Sequence, residues 1–211
     1  MTDEPDKAEP DDLWRAAVHE AGHVVLGELL SMTTEYVTVE PNDKMLAHVQ
    51  RRPPSPLATL SGETHWRFLL VDCAGVIAEG MFFDGFMSYD VLSEVLPEDE
   101  ISDTVQLWAY LESHSEDKKQ QWKWFELAYT QAQRILSNSA VRRSVESLAA
   151  RLKEKRTLNR DEVYDVIKAA LGRSKWGRDR FQMGERYASP PQSWIDSREG
   201  YRAMAETMAA L

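Results

Sequence analysis

Apolar residues recur at helical spacing through most of this chain. Ala17, Ala21, Val24 and Val25 mark one face of a helix from about Leu13 to Leu30, and Leu29 extends that face. Asp11 and Asp12 stand at its start, where carboxylates accept the unsatisfied N–H groups of a first turn. From Thr33 to Glu40 the period changes, and β-branched and polar residues alternate as in a strand. Pro41-Asn42-Asp43 is a turn, and Met45 to Gln50 predicts a returning strand. Arg51 to Ser61, with Pro53, Pro54 and Pro56, reads as a loop. Thr64 to Phe83 predicts one long helix and Glu98 to Leu111 another, followed by three more over 121–137, 140–154 and 159–171. The last opens with Asn159 and, three residues on, Glu162, the pattern of a capping box. Beyond Gly172 the periodicity breaks at Gly177, Gly184, Pro190 and Pro191, with a short helix predicted at 198–210.

The expected fold class is therefore α+β, mainly α-helical, with a small β-sheet beside the first helix. The expected organisation is a disordered acidic leader over 1–11, one domain over 12–171 and a C-terminal extension over 172–211.

Composition narrows the function. A formal net charge of −10 repels phosphate, so nucleic acid is not an expected partner. Cys73 is the single cysteine, which rules out an internal disulfide and suits a cytoplasmic location. The start of the chain is acidic and polar, unlike a secretory signal. The longest apolar run, Phe68 to Phe83, is interrupted by Asp72 and Glu79, so no membrane span is expected.

The chemistry lies in the first helix. His19-Glu20-Ala21-Gly22-His23 is an HExxH motif. Residues four apart on a helix share a face, so both imidazoles can reach one metal ion, and Zn2+ favours such nitrogen ligands. Glu20 is rotated off that line. It would act as general base toward water held by the metal and pass the proton on to the leaving amine. Gly22 is costly in a helix interior, and close packing over it would explain its presence. His48, His65 and His114 lack spacing partners and read as packed or exposed side chains. Cys73 and the cluster of Trp122, Trp124 and Phe125 read as core, and Trp14 is placed to close over the motif.

The stretch Ala17-Val18-His19-Glu20-Ala21-Gly22-His23-Val24-Val25 resembles the peptidase domain of FtsH, the AAA-type zinc metalloprotease. Val37-Thr38-Val39-Glu40-Pro41 is similar to the strand after that family's motif helix, and Cys73-Ala74-Gly75-Val76-Ile77-Ala78-Glu79 to its Gly-rich helix. The resemblance covers roughly 12–171, and its most specific part is the HEAGH segment. It implies a zincin-like peptidase domain with the sheet beside the HExxH helix. In this family an Asp near a helix start supplies the third ligand. Ser102-Asp103-Thr104-Val105-Gln106-Leu107 is the closest match, so Asp103 is the implied ligand, with Asp99 and Glu79 as competitors. Glu79 also reads as a supporting partner of a ligand. A metzincin arrangement is excluded, because Leu29 stands where its third histidine would be.

The expected activity is thus that of a zinc-dependent metalloendopeptidase with His19, His23 and Asp103 as metal ligands and Glu20 as the catalytic base. The chain has no Walker sequence, so it would act without its own ATPase on peptides or unfolded protein. Expected partners are such substrates, a separate ATPase or further copies of the chain. An edge strand over Met45 to Gln50 would hold an extended substrate by main-chain hydrogen bonds. Two alternatives stand beside this reading: a metal-binding but proteolytically inactive interaction domain, and an ImmA-like zincin that cleaves one regulator. The extension over 172–211 would be regulatory or simply a tail.

Overall fold

A helix that is apolar nearly all the way round belongs in the middle of a core. The computed structural model describes residues 12–41, 47–52, 62–83, 103–172 and 188–197. In it, α1 (Asp12–Leu29) is buried on almost every side from Ala17 onward. It packs between α3 (Ala74–Phe82) and α6 (Ser139–Lys155). Its C-terminus closes on Ser31, which takes a left-handed φ of 63°. The Met32 amide donates to the Gly27 carbonyl at 2.8 Å and the Ser31 amide to Glu28 at 3.2 Å, a paired closure that satisfies the last carbonyls.

The chain then enters β1 (Thr34–Thr38), which returns as β2 (His48–Arg51). A third strand, β3 (Thr157–Asn159), pairs with the other side of β1, giving an antiparallel sheet in the order β2-β1-β3. Val37 lies opposite both Val49 and Leu158, and Val37 and Leu158 are fully buried against the helices. Among the described residues β2 is thus an edge strand. The pattern gave no sign of β3, because a three-residue strand with one apolar position has no readable period.

The long helix expected over 64–83 is two helices, α2 (Gly62–Asp72) and α3, meeting at Cys73. α4 (Asp103–His114), α5 (Lys118–Leu136), α6 and α7 (Arg160–Leu171) follow. Asp117 caps α5, accepting from the Lys119 amide, so α5 begins three residues before the predicted start. The predicted capping box of α7 is present: Asn159 accepts from the Asp161 and Glu162 amides, and Glu162 accepts from the Asn159 amide. Mainly helical architecture with a small sheet is therefore what the periodicity predicted. Among the described residues, no helix is long and apolar enough to cross a membrane.

Residues 188–197, within the expected extension, pack on the helical core. Trp194 is fully buried, packs edge-on against Trp66 and Trp124, and donates from Nε1 to the Gly62 carbonyl at 2.9 Å. The pattern missed this because proline and glycine break the helical period, while one tryptophan carries the burial. The leader over 1–11 and the helix predicted at 198–210 lie outside the described residues, as does the start of the helix predicted at Glu98.

Candidate metal centre

α1 carries His19 and His23 one turn apart, and α3 crosses it closely enough to complete their surroundings. The crossing depends on small residues. A Cβ on Gly22 would come within 2.6 Å of the Ala74 carbonyl oxygen and 2.7 Å of the Ala78 Cβ. The glycine inside the motif therefore serves close packing, as its cost in a helix suggested.

The outer nitrogen of each ring has an acceptor. His19 Nδ1 lies 2.7 Å from Glu79 Oε1, and His23 Nδ1 lies 2.7 Å from the Val71 carbonyl oxygen. A carbonyl or carboxylate oxygen only accepts, so Nδ1 carries the proton in both rings. In the neutral rings each Nε2 is then an acceptor, and the two Nε2 atoms face each other at 3.0 Å. Two acceptors at that distance repel unless a proton or a cation lies between them. Zinc bonds of about 2.0–2.1 Å in tetrahedral geometry would set the two nitrogens about 3.3 Å apart, close to what is present. Gly75 completes the case: a Cβ there would fall 2.4 Å from His19 Nε2 and 2.5 Å from His23 Nε2. The backbone thus leaves room where the two nitrogens converge, and the donor set fits a zinc ion.

The Val71 carbonyl that accepts from His23 lies two residues before Cys73, where α2 gives way to α3.

Glu20 is buried, at 8% exposure, and lies about 100° around α1 from His19. Glu79 sits across the His19 ring from Nε2. Its Oε1 faces His19, and its Oε2 pairs with Arg15 Nε at 3.0 Å. A carboxylate on Nδ1 cannot also reach an ion on Nε2 of the same ring, so Glu79 supports His19 and does not compete as third ligand. Among the described residues no group of three His, Cys, Asp or Glu side chains stands together as a ligand set. Asp99 and the side chain of Asp103 lie outside the described part.

Asp103 is the first residue of α4. Tyr110 meets His65 and Phe68 of α2, and His114 meets His65 one turn later. The two helices therefore run antiparallel. Burial and the nearby Asp72 carboxylate hold the Tyr110 phenol above its ordinary pKa, so it remains a neutral donor on this helix face.

Other sequence expectations fall as follows. His48 Nε2 meets the Tyr36 hydroxyl at 2.9 Å on the sheet. His65 and His114, read as isolated, meet ring to ring at the far end of α2. Cys73, Trp124 and Phe125 are buried in the core. Trp14 does not close over the motif; it lines a surface groove with Ala150, Lys153 and Glu154 of α6. It lies five residues before His19, about 140° around the helix, which turns it away. Sequence reasoning also missed Arg15, Val71 and the exact burden on Gly75. The only advance signal for these was the Gly-rich segment containing Gly75.

No protein-family model matches this chain and no curated protein matches it.

Proposed function

We propose that this chain is a zinc-dependent metallopeptidase. The observation that carries the reading is the convergence of His19 and His23 Nε2 at 3.0 Å over Gly75, with both Nδ1 atoms held by acceptors. His19 and His23 would hold the ion, and Asp103 would complete the ligand set from the start of α4. When bound, zinc supplies Lewis acidity, polarising a carbonyl and acidifying water near neutral pH. Glu20, one residue from His19 on the same helix, takes the proton from the attacking water at a carboxylate oxygen and delivers it to the leaving amine nitrogen. The edge strand β2 offers main-chain groups to an extended substrate.

The resemblance of the HEAGH and Cys73–Glu79 segments to FtsH supports peptide-bond hydrolysis. A buried carboxylate beside the histidines also favours it over an inactive interaction domain, which has no use for a base there. The test is metal analysis and peptide hydrolysis by the wild type, Glu20→Gln and Asp103→Ala. Glu20→Gln is expected to keep zinc and lose about 10²–10⁴-fold in kcat. Asp103→Ala is expected to lose zinc affinity. A wild-type protein that takes up no divalent metal would refute the reading.

A further inference from the structure

The two histidines are aimed by unlike partners. His23 is held by a backbone carbonyl, whose position the chain fixes. His19 is held by the carboxylate of Glu79, a side chain with rotatable bonds. Such a partner orients a ring only if it is itself oriented. Glu79 has that second anchor: Arg15 Nε lies 3.0 Å from Oε2. The Arg15 guanidinium also lies 5.3 Å from the centroid of the Phe83 ring, so the end of α3 fixes it from another side. Arg15 and His19 stand one turn apart on α1 and grip the two oxygens of one α3 carboxylate.

We propose that Arg15 is a positioning residue of the metal centre: by locking Glu79 it presents His19 Nε2 in the acceptor state and at the right angle for the ion. The proposal rests on the metallopeptidase reading for its ion but concerns a residue four positions before the motif. Arg15 touches neither the ion nor a substrate. Its influence travels through one exposed ion pair, its own side chain being 57% exposed, so dissolved salt weakens it.

The experiment is Zn2+ competition against a chromophoric chelator, with wild type, Arg15→Ala, Arg15→Lys, Glu79→Ala and the double variant. Arg15→Ala is expected to weaken affinity about tenfold, within the usual range for losing a supporting partner. Arg15→Lys recovers part of the loss, and added salt draws the wild type toward Arg15→Ala. Adding Arg15→Ala to Glu79→Ala changes nothing further, because the link is already cut. Equal affinities for wild type and Arg15→Ala, or losses that add in the double variant, overturn the proposal. Imidazole ¹⁵N spectra of the metal-free proteins keep the two readings apart. Arg15→Ala is expected to turn a single Nδ1–H form of His19 into a mixture, and an unchanged spectrum overturns the positioning role. A wild type that binds no zinc overturns the metallopeptidase reading, while these spectra still decide the role of Arg15.

Discussion

His19 and His23 stand with ring centroids 4.7 Å apart at an interplanar angle of 68°, and His65 and His114 stand 5.5 Å apart at 65°. As ring pairs they are nearly the same object. What separates them is the company of each nitrogen. In the first pair both Nδ1 atoms face acceptors on other elements, which turns the Nε2 atoms toward each other. In the second, His114 Nδ1 faces the Tyr110 carbonyl of its own helix at 2.8 Å and the Ser113 hydroxyl at 3.0 Å. Its flat face lies on Trp194, 4.0 Å away and 9° from parallel. One pair is aimed and the other is packed. Helix α2 reaches both, with the Val71 carbonyl at one end and Gly62 and Trp66 at the other.

The sharpest way to break this contrast is Gly75→Ala. The added methyl would occupy the space between the aimed nitrogens, so zinc affinity is expected to fall by more than about a hundredfold, beyond the usual loss of a supporting partner. Alanine favours a helix over glycine by about 1 kcal/mol, but the methyl would lie 2.4–2.5 Å from the His19 and His23 rings, so the rings or α3 must shift to admit it. Chelator competition and circular dichroism together check this, and normal affinity would show that the nitrogens converge elsewhere. At the packed end, Trp194→Ala is expected to cost about 3–5 kcal/mol in urea denaturation, the usual range for truncating a buried tryptophan. The zinc affinity of its folded fraction should stay at the wild-type level, and a matching loss of zinc would mean the two ends act as one. His114→Ala is the gentlest probe, expected to cost roughly 1–2 kcal/mol with zinc affinity unchanged. Zinc loss in that variant would place a packed histidine in the metal centre.

The aimed pair was legible in the sequence because its logic is local. Four residues make one turn, and HExxH places two imidazoles on one helical face. The α1 period, the β1 alternation and the Asn159–Glu162 cap were readable for the same reason. What escaped notice depends on partners far along the chain. The helix break at Cys73 coincides with a hydrogen bond from His23 to Val71, 48 residues apart in sequence. The Trp194 pocket gathers Gly62, Trp66, His114 and Trp124, which no period connects. Arg15 looked like any charged residue on a first turn until α3 brought Glu79 to it. Asp103 follows from the family resemblance alone, and its side chain lies outside the described part.

The joint at Cys73 divides the support of the two imidazoles between separate helices. The Val71 carbonyl that receives His23 lies in α2, and the Glu79 carboxylate that faces His19 lies in α3. A displacement of one helix would therefore detune one ring before the other, so variants that loosen α2 and variants that loosen α3 should leave different histidines at fault.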